Sequence, residues 1–151
     1  EKDRFMARPD LASSTYALAE IAKKERRKDE WKTLIKNDWD TEVKANLGII
    51  ASGEQLIEDY ESEVGKILTE HYNDTSAVEM EGFGFAKAAL RQGRSSGNMM
   101  IGIVRGISDI IKQPDKKKND SSNDRRPDNV KQLASDTAAA FAYWLIFKAF
   151  S

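Results

Sequence analysis

The chain has 151 residues and a net charge of −1, from 24 basic and 25 acidic side chains. Hydrophobic residues make up 40% and charged residues 32%, which favours one globular domain with a core and excludes a disordered chain. No apolar run reaches the ~18 residues of a membrane-spanning helix. A nearly neutral total charge predicts neither nucleic-acid binding nor attachment to an anionic membrane.

Residue types restrict the possible chemistry further. The absence of cysteine excludes disulfides and thiolate metal sites, and the single histidine, His71, argues against a histidine metal site or a Ser-His-Asp relay. Carboxylates are therefore the main candidates for acid–base chemistry, and we expect no metal. The first residues carry no signal-peptide or transit-peptide pattern, so we expect a cytoplasmic protein.

The first predicted element is a long helix over residues 15–36, with Ser13 and Ser14 as candidate N-caps. Its middle, KKERRK at residues 23–28, could be a nucleic-acid patch. Interleaved acidic residues and the neutral total charge favour a solvated helix face instead.

Hydrophobic periodicity predicts the elements that follow. In chain order they are a strand at 44–52, a helix at 62–72, a strand at 77–80, a helix at 82–90 ended by Gly93, a strand at 99–107, and a helix at 130–150. Alternating helices and strands predict a mixed α/β domain with a largely parallel central sheet flanked by helices. Between the last two elements, residues 113–129 contain no apolar side chain and are predicted to be a mobile polar loop.

Acidic residues follow two of the predicted strands. If strands 77–80 and 99–107 are parallel, their carboxyl ends share one edge of the sheet, where ligands bind in open α/β folds. Glu79, Met80 and Glu81 lie at the first end, and Ser108 and Asp109 lie at the second. These carboxyl groups could divide acid and base roles, and free amides at the helix start could bind an anion. Spacing alone favours ordinary roles, as helix N-terminal acids and a loop cap.

Several short segments resemble the nucleoside phosphorylase superfamily, which includes purine nucleoside phosphorylases and methylthioadenosine/S-adenosylhomocysteine nucleosidases. The segments are GIIASGE at residues 48–54, AVEMEG at 77–82, VRGISD at 104–109 and AAAFA at 138–142. Within that superfamily, the chain looks most like nucleosidase domains attached to larger bacterial signalling or antiviral defence proteins. The resemblance implies cleavage of the N-glycosidic bond of a purine nucleoside or nucleotide.

The resemblance also implies residue roles. Glu81 matches the acid that binds the ribose hydroxyls, and Asp109 matches the acid that protonates or hydrogen-bonds purine N7. Four further residues match substrate-binding positions: Met80 packs against the sugar, Ser108 orients Asp109, and Leu56 and Ile57 contact the base. Glu79 orients the turn or contacts ribose. In some phosphorylases an arginine contacts the purine-binding acid, and Arg125 and Arg126 are the candidates for that contact with Asp109.

The family pattern implies a homo-oligomer, no cofactor, and phosphate as co-substrate if the enzyme is a phosphorylase. We find no counterpart of the family's N-terminal strands, its glycine-rich anion loop or the acid that positions water. We therefore expect residues 1–151 to be the C-terminal portion of one such domain, which needs the missing N-terminal part for activity. The alternatives are an inactive nucleotide-sensing or oligomerisation module of the same fold, and a nucleic-acid binder that uses the basic segment.

Overall fold

A computed structural model describes residues 10–36, 42–53, 61–96, 99–108 and 129–151. Its helices are α1 (Tyr16–Glu25), a 3₁₀ helix (Glu30–Leu34), α2 (Glu63–His71), α3 (Gly82–Ser96) and α4 (Val130–Ala149). Its strands are β1 (Ile49–Ser52) and β2 (Thr75–Glu79). In the described ranges no helix has the length and apolar character needed to cross a bilayer.

The two strands form a parallel pair connected through α2, in which Ile50 lies beside Ala77 and Ser52 beside Glu79. A parallel pair needs a crossover connection, and α2 supplies it. The Ser62 hydroxyl caps the first turn of α2 by accepting a hydrogen bond from the Gly65 amide at 3.0 Å. This β1–α2–β2 unit brings the ends of both strands to one edge and confirms the predicted α/β class.

The apolar core lies between α1, the 3₁₀ helix and α4. Trp31 is fully buried there and meets the ring of Phe141 edge-on, with 5.1 Å between the ring centroids. Small residues, among them Ala22 and Ala140, let these helices approach closely. A buried carboxylate joins two of them, because Glu25 of α1 accepts a hydrogen bond from the Trp144 indole of α4 at 2.8 Å.

Four predicted elements are confirmed within a few residues: the helices at 62–72, 82–90 and 130–150 and the strand at 77–80. The helix predicted at 82–90 continues through Gly93 to Ser96, so its predicted end at Gly93 was wrong. The strand at 44–52 forms only over its last four residues. Most of the predicted polar loop, residues 113–128, lies outside the described residues.

The predicted single helix over residues 15–36 was wrong. Helix α1 ends at Glu25, the Arg26 amide closes its last turn on the Ala22 carbonyl, and a separate 3₁₀ helix follows. This break turns the chain so that Trp31 reaches α4. The predicted caps were wrong too, since the N-cap of α1 is Thr15.

The predicted strand at 99–107 was also wrong, because this segment joins no strand ladder. Its backbone is used elsewhere. The Thr15 amide donates to the Ile101 carbonyl at 2.9 Å, and the Ile101 amide donates to the Thr15 hydroxyl at 2.7 Å. Further along, Gly106 lies so close to α4 that a Cβ there would be 2.0 Å from the Ala134 carbonyl oxygen. The segment therefore contacts α1 and α4 instead of extending the sheet.

Candidate active site

The carboxylate of Glu79, the last residue of β2, lies at the start of α3 and is almost fully enclosed. It accepts hydrogen bonds from the Gly82 amide at 2.7 and 2.8 Å and from the Glu81 amide at 2.9 Å. It also accepts hydrogen bonds from the Ser52 hydroxyl and the Arg105 guanidinium. Four donor groups thus converge on one carboxylate, whose side chain is only 8% exposed.

These donors determine the protonation state of Glu79. Burial alone would raise the pKa of the carboxyl group. Hydrogen bonds from the Ser52 hydroxyl, the Gly82 amide, Arg105 and the Glu81 amide outweigh burial and lower the pKa of Glu79 to about 2. Glu79 is therefore an anion at neutral pH.

The first amides of α3 are satisfied by the protein itself. Glu79 takes the amides of Glu81 and Gly82, and the Ser52 hydroxyl accepts from the Phe83 amide at 3.2 Å. An anion held by these three groups, which the sequence suggested, would have to displace Glu79 and Ser52. For Glu79, the contacts match the alternative in which it orients the turn.

Arg105 connects the buried carboxylate to an exposed one. Its guanidinium pairs closely with Glu79 and lies 3.1 Å from an oxygen of Glu81, and these contacts raise the pKa of Arg105. The Glu81 side chain is 72% exposed and that of Arg105 is 39% exposed. Glu81 is thus held by one cation while most of its carboxylate remains open to a ligand.

The structure places only some of the predicted site residues. Met80 is half-exposed beside Glu81, at the end of β2 where the sequence placed it, and Ser108 is partly buried at the end of the segment that carries Arg105. The remaining predicted residues lie outside the described part of the chain: Asp109, Leu56, Ile57, Arg125 and Arg126. Their roles stay predictions.

Two residues that organise this site received no role from the sequence. Arg105 interrupts an otherwise apolar segment just before Ser108, and a lone cation in such a segment signals a nearby carboxylate. Ser52 ends β1, and the strand register places it beside Glu79. The partner of Ser52 follows only from that register, and the partners of Arg105 follow only from tertiary packing.

Comparison with known proteins agrees with the sequence motifs. The family profile described as the phosphorylase superfamily matches residues 5–145, which is most of the chain and begins well before the first motif. No curated protein and no solved structure matches significantly. The chain therefore belongs to the nucleoside phosphorylase superfamily, whose members in general cleave the glycosidic bond of nucleosides and need no metal cofactor.

Proposed function

We propose that this chain belongs to a nucleosidase that hydrolyses the N-glycosidic bond of a purine nucleoside or nucleotide, as the effector domain of a larger bacterial protein. The observation that carries the proposal is the exposed Glu81 carboxylate, held by Arg105 at the end of β2. Glu81 stands at the position where the family motif has its ribose-binding acid. An effector domain of this type would act in the cytoplasm and as a homo-oligomer.

In the proposed reaction the bond between C1′ of the sugar and the purine breaks, and its electron pair leaves with the base. Asp109 donates a proton to N7 of the leaving purine. General acid catalysis of this kind accelerates a reaction by about 10²–10⁴-fold. Glu81 accepts hydrogen bonds from the ribose hydroxyls and stabilises the positive charge that develops on the sugar. Water then adds at C1′ and releases one proton to solvent, and solvent returns a proton to Asp109. Met80 packs on the sugar, Ser108 orients Asp109, and Leu56 and Ile57 contact the base.

The test measures release of free base by the protein in the form in which the cell produces it. Adenosine, inosine, methylthioadenosine and ATP are each supplied with and without phosphate. We expect free base without phosphate, and about a 100-fold or greater loss in Asp109→Asn. The control is Glu70→Gln, which removes an exposed carboxylate of α2 and should leave the rate unchanged.

Two outcomes redirect the proposal. Base release only with phosphate identifies a phosphorylase. Tight nucleotide binding without turnover, unchanged in Asp109→Asn, identifies the inactive sensing module. No free base from any of the four compounds contradicts hydrolysis.

A further inference from the structure

Glu79 has no free acceptor capacity for a sugar. A carboxylate offers about four lone-pair sites, and four donors already occupy those of Glu79: the Glu81 amide, the Gly82 amide, the Ser52 hydroxyl and Arg105. A ribose hydroxyl could bind Glu79 only by displacing one of them. Its neighbour Glu81 is in the opposite state, with a largely exposed side chain.

Arg105 reaches both carboxylates through one terminal nitrogen. One of its two partners is fixed, because Glu79 is buried and tied to the helix start. The other is an exposed side chain with several rotatable bonds, whose freedom would have to be lost when a ligand binds. A guanidinium anchored on Glu79 therefore restricts Glu81 before the ligand arrives.

Ser52 completes the arrangement from the neighbouring strand. Its hydroxyl donates to Glu79 and accepts from the Phe83 amide, so it connects the end of β1 to both the carboxylate and the first turn of α3. Because Ser52 lies beside Glu79 in the strand register, this contact depends on the correct pairing of β1 with β2.

We propose that Ser52, Glu79 and Arg105 are positioning residues that preorganise the Glu81 carboxylate for the sugar hydroxyls, and that Glu79 does not itself contact the sugar. This inference rests on the proposed function, and it gives a positioning role to residues that do not touch the substrate. Preorganised groups bind more tightly because the cost of ordering them is met before binding.

The test is a double-mutant cycle on the nucleoside that the wild-type protein cleaves best. Arg105→Ala should lower kcat/KM by about 10- to 100-fold, because a loss of this size corresponds to the free energy of one hydrogen bond to a charged group. If Arg105 acts through Glu81, the same substitution in a Glu81→Gln background should cost less than about 3-fold. Single-turnover assays at high protein concentration keep the slow variants measurable.

Conservative variants separate positioning from folding. Ser52→Ala should lower kcat/KM, whereas Ser52→Thr keeps the hydroxyl and should restore it. Arg105→Lys keeps the charge but loses the guanidinium geometry, so it should lie between wild type and Arg105→Ala. The control Arg27→Ala removes an exposed arginine after the end of α1 and should change nothing. Thermal melts of each variant identify any that are unfolded.

The sugar provides a second readout. With the matching 2′,3′-dideoxynucleoside, used as a competitive inhibitor, wild type and Arg105→Ala should have inhibition constants within about 2-fold of each other, because Glu81 then has no hydroxyl to bind. The inference is overturned if Arg105→Ala weakens binding of the dideoxynucleoside as much as it lowers kcat/KM for the substrate. It is also overturned if the effects of Arg105→Ala and Glu81→Gln on kcat/KM are additive. In both cases the proposed function stands. A wild-type protein that releases no base overturns both.

Discussion

The helical core and the polar edge at the end of β2 are built in opposite ways. Around Trp31, apolar side chains from α1, the 3₁₀ helix and α4 pack together, and the buried Glu25 carboxylate is hydrogen-bonded to Trp144. At the end of β2, four polar donors converge on Glu79 while Glu81, two residues further on, remains exposed. The core is held together by burial of apolar surface, whereas the edge is held together by hydrogen bonds and ion pairs to carboxylates.

The two regions are connected by the segment at 99–108, which hydrogen-bonds to Thr15, carries Arg105 and packs Gly106 against α4. Substitutions in the two regions should therefore differ in their effects on stability and on ligand binding. Changes in the core should lower the free energy of unfolding alone, whereas changes at the polar edge should also alter ligand binding.

The largest expected effect is that of Trp31→Ala. Trp31 is fully buried against Phe141, and truncation of a buried aromatic residue costs about 3–5 kcal/mol. Urea unfolding followed by circular dichroism measures the loss. If Trp31→Ala lost less than about 1 kcal/mol, the core would not be the source of stability that the packing indicates.

Trp31→Phe is the matched variant for this prediction. The Trp31 indole N–H is buried and has no hydrogen-bond partner in the described part of the chain, so phenylalanine removes a polar group that gains nothing from burial. We therefore expect Trp31→Phe to retain more than half of the stability that Trp31→Ala loses.

The polar edge should make folding sensitive to acid. The pKa of Glu79 is lowered from 4.5 to about 2, so its ionised form is favoured in the folded state. The stability that Glu79 contributes is complete above about pH 4.5 and is lost as the pH falls towards 2. The shift corresponds to at most about 3 kcal/mol, measured by urea unfolding across this range.

Glu79→Gln tests the assignment of this acid sensitivity. The amide cannot titrate, so the stability of this variant should fall less between pH 4.5 and pH 2 than that of the wild type. Glu70→Gln, on the exposed surface of α2, should keep the wild-type dependence. Identical pH curves for Glu79→Gln and wild type would mean that another carboxylate carries the effect.

Much of the fold could be predicted because local periodicity matched the final packing. Apolar spacing predicted an element of the right type at the places where α2, α3, α4 and the short strand β2 form. The helix over residues 15–36 failed because the chain turns after Glu25 to bury Trp31, which periodicity does not detect. The segment at 99–107 failed because a continuous apolar run suits packing between α1 and α4 as well as it suits a central strand.

The site could be predicted only as far as residues adjacent in sequence are adjacent in space. Glu79 ends one strand and Met80 and Glu81 follow it directly, so their shared edge was predictable. The different roles of Glu79 and Glu81 could not be predicted, because they depend on Ser52 from β1 and on Arg105 from a distant segment. Such partners follow from strand register and tertiary packing, which no local pattern specifies.

The smallest expected effect concerns two glycines of α3. A Cβ on Gly82 would lie 2.7 Å from a carboxylate oxygen of Glu79, whereas a Cβ on Gly84 would meet no atom within 4 Å. Gly82→Ala must therefore displace the Glu79 carboxylate from its donors, and we expect a loss of about 1–3 kcal/mol. Gly84→Ala should be neutral or stabilising by up to about 1 kcal/mol, because alanine favours a helix.

Urea unfolding of both variants, together with nucleoside cleavage, decides whether the polar edge is as closely fitted as the core. Displacement of Glu79 also removes the anchor of Arg105, so Gly82→Ala should lower kcat/KM as well as stability, while Gly84→Ala lowers neither. If both alanines raised stability equally, Glu79 would be free to move aside, and the edge would tolerate rearrangements that the core around Trp31 does not.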